Sequence, residues 1–454
     1  MITSWVRSSN LGGLFIFRIL GEEEEEKEEE KLIYHVPLDN ITRQINLIGR
    51  HIADQGGIRV AVYLPNSVEL LATLFACSFY SNLTTVLIPF DVSNDQLISM
   101  LRRSAADTVI TAPGAFPLDA VVRAYPSLRQ LIWVVDEGNN HMDWNEVPEG
   151  MGGSVNVATW QDIVRDAPAA AGAELPELDR ENTPQDVVTF WQGKPGQVEE
   201  MVRFSQANLV AAISGQMFAV PSKEKFTSAD LFLPADSLAH VHTLVLTLTA
   251  LYQNASIALN SVTGGSDDTL DLELASRGIA PTVIVANPQT LLKLHENSMK
   301  RVSSGLARLS HSMATRAVVQ EGVLAASGPW RSFNASAQPL LGTTPGKLRL
   351  VYAAERVAAG TPLLPAKVLS DLRILTGARV VYALTAPKVA GSVAQTAFYD
   401  YRVADGGKTH FGAPPTCVEL LFRDMGENKT TDDRVEGEVS IFLQTFLVLH
   451  KMAL

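Results

Sequence analysis

Apolar residues recur along this chain at two periods, and the alternation between them sets the expected fold. Over 39–54, Ile41, Ile45, Ile48 and Ile52 fall at i, i+4, i+7 and i+11, one face of an amphipathic helix. The run RVAVYL at 59–64 is continuously apolar after its first residue and closes on Pro65-Asn66, the pattern of a strand covered on both faces. Ser67 stands at an N-cap position ahead of Val68, Leu71, Leu74 and Phe75. Residues 86–88 predict a second strand, and Ser93 with Gln96 have capping-box spacing at the head of a helix over 93–104. Strands at 107–111 and 131–135 continue the series. After a polar linker at 166–185, alternation resumes. A strand is expected at 187–190, a turn at 192–196, a helix from Asn208, a strand at 231–233 and a helix at 243–252. Further strands are expected at 256–259, 282–285, 348–352 and 379–382.

Such β-α alternation with apolar strands predicts mostly parallel sheets with helices on both faces. The expected architecture is α/β: two stacked subdomains at 33–165 and 186–385. Beyond 386 the pattern shortens to alternating stretches at 416–422 and 437–442, which predict a small antiparallel β subdomain over 386–454. Residues 1–32 are expected to form a disordered acidic tail.

Composition narrows the function classes. The 454 residues are 46% hydrophobic and 19% charged, an ordinary globular balance. Lys and Arg number 37 against 49 Asp and Glu, a net charge of −12. Half of that excess, −6, sits in the eight Glu and two Lys of 22–31. With no basic run, nucleic acid is not an expected partner. Cys77 and Cys417 are too far apart in sequence to suggest a zinc motif, and no metal ligands are assigned. No apolar run approaches the ~20 residues that span a bilayer, which points to a cytoplasmic protein and leaves room for peripheral membrane contact. Asp236 beside His240 and His242 has the outline of a hydrolase pair, but the chain has no G-x-S-x-G elbow.

Five segments, in order, resemble the adenylate-forming, AMP-binding enzymes: acyl-CoA synthetases, peptide-synthetase adenylation domains and luciferases. VAVYLPNS at 60–67 is similar to their early V-A-[IV]-x-L-P-N-S segment, and FSQANL at 204–209 to the L-[ST]-H-x-N-L after their phosphate loop. LAHVHTL at 238–244 sits where they carry L-x-H-x-x-x-L. YALT at 382–385 is similar to Y-G-L-T-E. FGAPPTCVE at 411–419 with GEV at 437–439 is similar to V-G-x-P-x-x-x-x-E followed by G-E-[IV]. Long-chain fatty acyl members look closest.

The resemblance implies ATP-dependent activation of a fatty or other apolar carboxylic acid to an acyl-adenylate, then capture by a thiol such as coenzyme A. ATP or AMP, Mg²⁺ and an acyl chain would be the ligands. Carried over by position, Gly193, Lys194 and Gly196 would belong to the phosphate loop and Ala354 and Glu355 to the adenine site. Tyr382 would stack near adenine, Thr385 would touch the phosphates and His240 would stand by the acyl pocket. Each has a plainer alternative: a surface turn, a strand-to-loop turn, a core aromatic, a hydroxyl bonded to nearby backbone and a structural histidine.

The chain departs from the family pattern in three ways. The phosphate-loop hydroxyls are missing, and Glu199 and Glu200 stand at its Lys end, where like charge would repel a triphosphate. Ala386 replaces the Glu that would help hold Mg²⁺. No counterpart of the C-terminal lid domain or its catalytic Lys is recognised before Leu454, so that domain is expected to be absent and the β unit truncated. A second reading is therefore a catalytically impaired relative serving as a binding or scaffold protein.

Overall fold

The computed structural model describes residues 15–18, 33–36, 38–90, 92–135, 155–168, 171–173, 176, 185–194, 196–260, 270–324, 337–403, 409–426, 429–431, 437–443 and 446–452. The acidic block 22–31 and much of the linker expected at 166–185 lie outside them. The chain opens with β1 (Phe15–Arg18), β2 (Ile33–Val36) and α1 (Leu38–Asp54), then β3 (Arg59–Tyr63), α2 (Val68–Phe79), β4 (Thr84–Leu87) and α3 (Asn94–Ser104). β5 (Thr108–Thr111), α4 (Leu118–Ala124), β6 (Gln130–Trp133), β7 (Asn156–Thr159) and α5 (Trp160–Arg165) follow. Next come β8 (Val187–Trp191), β9 (Glu200–Phe204), α6 (Gln206–Ala219), β10 (Leu231–Ala235), α7 (Val241–Tyr252) and β11 (Ser256–Asn260). α8 (Leu272–Ala275), β12 (Val283–Ala286), α9 (Pro288–Arg301) and α10 (Gly305–Arg316) lead to β13 (Leu350–Arg356), α11 (Ala366–Thr376), β14 (Arg379–Thr385) and β15 (Ala394–Gln395). β16 (Val418–Arg423), β17 (Glu438–Leu443) and β18 (Phe446–Met452) end the chain.

These strands make three sheets. The first has seven strands in the order β7-β6-β5-β3-β4-β8-β9, parallel except for the β8–β9 hairpin. The second has eight, β15-β14-β13-β12-β10-β11-β1-β2, parallel except at its two ends. The third is antiparallel, β16-β17-β18. Two expectations need correction. β8 and β9 complete the first sheet, through pairs such as Val188 with Val86, so the division at 185/186 does not separate the sheets. Within the expected tail, Phe15–Arg18 is a strand parallel to β11, because that strand's edge is open to backbone pairing.

The strand faces explain the layering. Along β3, Val60 and Val62 face one core, while Ala61 and Tyr63 face another with Leu97 and Met100 of α3. Along β13, Leu350 and Tyr352 join the core that holds Val60 and Val62. Val351 and Ala353 instead pack with Leu291 of α9 and Leu372 of α11. Both sheets therefore share one central core, filled by helices. All of α2 but Glu69 is buried, as is all of α7 but Tyr252, and a helix apolar on every side belongs between two layers. The third sheet docks Val418, Val439 and Ile441 against Leu384 and Val393.

Leu244 of α7 is fully buried in this central core. Leu244→Ala is expected to lower unfolding free energy by about 2–5 kcal/mol through lost burial and a cavity, read by urea unfolding. A change within error would mean that the layer is not packed as described.

His242, the second residue of α7, is buried with neither ring nitrogen hydrogen-bonded among the described residues. Burial pushes its imidazole down to about 4 from 6.5, against the upward pull of the Asp236 carboxylate. A lowered folded value makes its contribution to stability full above 6.5 and lost as pH falls through about 4. The cost at about pH 5 is ~2 kcal/mol. His242→Leu should flatten the stability profile over this window, measured by urea unfolding near neutral pH and near pH 5. An unchanged profile would assign the acid sensitivity elsewhere.

Candidate functional site

Ligand sites in open parallel sheets lie beyond the carboxyl ends of the strands. Here β8 of the first sheet and β10, β13 and β14 of the second end together. Trp191, the last residue of β8, donates its indole N–H to the Val357 carbonyl at 3.2 Å, just past β13. The Arg356 guanidinium lies 4.7 Å from the centre of the Trp191 ring, a cation–π contact across the two sheets. Asn66 makes the second tie. Its buried amide donates to the carbonyls of Pro234 (3.0 Å) and Asp236 (2.8 Å) and accepts from the Leu238 N–H (2.8 Å). The adjacent Ser67 caps α2 by accepting from the Leu70 N–H at 3.2 Å. The Pro-Asn-Ser motif thus starts a helix and clasps the second sheet.

Asn66 holds the turn that carries His240. The His240 ring bonds through Nδ1 to Asp236 at 3.1 and 3.2 Å, and the Thr243 hydroxyl donates to Asp236 Oδ2 at 2.7 Å. Burial alone would raise the Asp236 carboxyl. The His240 charge and hydrogen bond, the Thr243 hydroxyl and the Arg356 charge outweigh it and hold the group down to about 2. The group is an anion whose charge is met internally. Binding through Nδ1 leaves His240 Nε2 uncommitted among the described residues. His240 is thus fixed at the mouth of α7 on Asp236, whose carboxylate also feels the Arg356 charge. Sequence reasoning missed Trp191 and Arg356, since neither belongs to a matched segment.

The strand pair β13–β14 brings Ala354, Glu355, Tyr382 and Thr385 together, with Ala354 opposite Ala383 and Arg356 opposite Thr385. Tyr382 is fully buried, its ring 5.0 Å from Phe411 at 34°. Its phenol donates to Glu355 Oε2 (3.3 Å) and accepts from the Leu364 N–H (3.1 Å). Glu355 also accepts from the Thr361 hydroxyl at 2.8 Å, and burial raises its carboxyl. Thr385 donates to the Glu355 carbonyl at 2.9 Å. In this arrangement Tyr382 sits as a core aromatic and Thr385 as a backbone-bonded hydroxyl. Beyond them Gly412, at φ +72°, lies so close to the Gln395 carbonyl that a Cβ would collide with it.

The turn at 192–199 joins β8 to β9. Lys194 is exposed, the Gln197 N–H donates to the Lys194 carbonyl at 3.0 Å, and Gly196 takes φ +86°. The two feared carboxylates are accounted for. Glu199 is buried against α3, accepting from the Gln96 amide at 2.7 Å while its carbonyl takes an Arg103 N–H at 2.6 Å. Glu200 is exposed and paired with Lys388 at 2.9 Å. Lys388, three residues past Thr385, is a cation beside the turn that no motif flagged. The FSQANL segment has its own structural reason: Ser205 and Asn208 form the capping box of α6.

The residues present do not suit Mg²⁺. Ala386 offers no side-chain ligand, and both Glu355 oxygens are engaged. Among the described residues no group of three or more His, Cys, Asp or Glu side chains could hold a metal ion, and no helix is long and apolar enough to cross a membrane.

No protein-family model matches the chain. No curated protein matches it either. Solved structures do. The anthranilate CoA ligase AuaEII, in complex with anthranoyl-AMP, has TM-score 0.61 and 14% identity, over 91% of this chain and 65% of that one. A benzoate CoA ligase from Burkholderia xenovorans LB400 has TM-score 0.58 and 14% identity, over 90% of this chain and 66% of that one. The A domain of the carboxylic acid reductase from Segniliparus rugosus, in complex with AMP and a co-purified carboxylic acid, has TM-score 0.60 and 14% identity, over 98% and 67%. The chain thus spans about two thirds of the length of these structures. What the likeness shows is the fold: two stacked sheets and a small β unit arranged as in the adenylate-forming, AMP-binding acid ligases.

Proposed function

We propose that this chain is the acid- and nucleotide-binding body of an acyl-CoA-synthetase-like protein, in which activation of the acid is impaired. The carrying observation is that Tyr382 and Thr385, the two side chains that would meet the nucleotide, are both committed to internal partners. Phe411 lies against the Tyr382 ring where a purine would need a face. Ala386 and the hydroxyl-free turn at 192–199 agree with this.

ATP or AMP would be held, weakly, by Lys194 and the backbone of the Gly193–Gly196 bend, with Ala354 and Glu355 at the adenine end. An apolar carboxylic acid would lie near His240, between Trp191, Arg356 and the mouth of α7. There the Arg356 guanidinium would meet the carboxylate; with Nδ1–H given to Asp236, His240 Nε2 would donate to it only from the doubly protonated ring. Coenzyme A is the thiol the relatives' names suggest. A competent ligase is the second reading, favoured by one observation: Lys194 stands exposed at the turn, and Lys388 offsets the Glu200 charge there.

The two readings separate by thermal unfolding and isotope exchange. Octanoate and benzoate, tested separately, should include a ligand that raises Tm by several degrees near saturation, since a site filled at a hundred times Kd adds about 2.7 kcal/mol. Millimolar ATP with Mg²⁺ should give little shift and no acid-dependent pyrophosphate exchange. Robust exchange would establish a working ligase. No shift with either acid would remove acid binding from the proposal.

A further inference from the structure

An open surface cavity of about 790 Å³ lies on the outer side of the second sheet, between α9, α10, α11 and the π-helical turn Ala317–Glu321 that prolongs α10. None of its lining residues belongs to the strand-end set of Trp191, Arg356, His240, Tyr382 and Thr385. Its size falls in the range of small-molecule sites, ~300–1,000 Å³.

Three helices are joined at the cavity by one carboxylate. Asp371 of α11 is buried and accepts from His295 of α9 at 3.0 Å and from His311 of α10 at 2.9 Å. This has a consequence for Lys367. Lys367 and Asp371 stand at i and i+4 on α11, a spacing at which such residues ordinarily pair. Both Asp371 oxygens are instead taken by imidazoles, and no ion pair of Lys367 is found among the described residues. Lys367 is exposed at the cavity rim with its charge unmatched.

Two more cations line the same space. Arg308 and Arg316 are eight residues apart on α10, two turns along one side of the helix. Arg316 is oriented by a neutral partner, donating through Nε to Gln320 Oε1 at 2.8 Å. Neither arginine has a carboxylate partner among the described residues. Ser312 adds a hydroxyl to the lining; that of Thr315 already donates to the His311 carbonyl at 2.9 Å. His311 lines the cavity with its ring fixed through Nε2 on Asp371.

We propose that this cavity binds the phosphate group of a small phosphorylated molecule. Three cations against one carboxylate that is already satisfied leave an excess of positive charge suited to a dianion. Two guanidinium groups, an ammonium and the Ser312 hydroxyl supply more donors than a single carboxylate could accept, and the three terminal oxygens of a phosphate match them better. Met299, Val302 and Val319 form an apolar part of the wall, so the ligand carries an apolar body beside the phosphate. The phosphate comes either from a soluble ester or from a lipid headgroup. The second source is raised by Leu306, Leu309 and Met313, which α10 exposes at i, i+3 and i+7 beside the cavity.

The test uses the full chain. Phenyl phosphate and inorganic phosphate are titrated by calorimetry, and vesicles of phosphatidylcholine with and without phosphatidic acid are assayed by sedimentation. Each assay is repeated on Arg308→Gln/Arg316→Gln and on Lys367→Gln, whose exposed positions should leave folding intact by circular dichroism and Tm. The expected result is saturable binding of phenyl phosphate, tighter than that of inorganic phosphate and about tenfold or more weaker in the double variant. Sedimentation only with phosphatidic acid, lost in the same variants, supports the site and names a lipid as source. Lys194→Ala should change neither assay, which separates this cavity from the cleft of the proposed function. Absence of binding to every phosphate probe, or binding indifferent to Arg308, Arg316 and Lys367, would overturn the proposal.

Discussion

A parallel strand buried on both faces needs two apolar covers, and the molecule is built around that demand. With two such sheets in one chain, the economical arrangement is to let some helices cover both. α2 and α7 do so, each buried over all but one residue. Burying a leucine side chain contributes roughly 1.5–3 kcal/mol, and these helices hold many in the core they share with Val62, Ile110, Val283 and Tyr352. The layer also sets the cleft. Once both sheets are fixed against the same helices, the ends of β8, β10, β13 and β14 must meet. Trp191, Arg356 and Asn66 are then close enough to tie them.

Polar groups enter this frame mainly where partners already exist. Removing one member of a buried ionic group leaves the other unpaired and is strongly destabilising, so such groups mark positions that cannot drift. Asp236, with His240 and Thr243, fixes the turn before α7. Asp230 does the same at the other end of β10, taking two Arg349 N–H donors at 2.9 and 3.0 Å and the Thr282 hydroxyl at 2.7 Å. The strand that leads to the cleft is held electrostatically at both ends.

Much of this fold was legible in the sequence because two signals agree over long stretches. Apolar patterning located α1, β3, α2 and α7, and capping residues Ser67 and Ser93 sit where their helices begin. The strand assignments did not carry their partners. Nothing in the sequence 187–191 says that it pairs with β4 rather than opening a new sheet, because a buried parallel strand looks the same in either place. The site was less legible for a related reason. A motif position gives a residue type, but Tyr382 can point at a purine or at Phe411, and only packing decides. Glu199 illustrates the reverse error. The resemblance would set it against a triphosphate, with a plain surface turn as the alternative, while the structure shows an adjacent helix supplying Gln96 and Arg103 to receive it.

Ligand capacity is then better judged by which groups lack partners than by which residue types are present. Each internal hydrogen bond is worth about 1 kcal/mol net, and a ligand that needs the same donor must first break it. Tyr382, Thr385 and Glu355 form a closed set by that measure, whereas Arg308, Arg316 and Lys367 carry charges that no described carboxylate answers. The same criterion divides the cleft itself. Its strand-end residues are saturated, while His240 keeps a ring nitrogen uncommitted among the described residues. On the proposed reading, a carboxylate at the mouth of α7 would not compete with the internal bonds of Tyr382 and Thr385, because the two sets share no hydrogen bond.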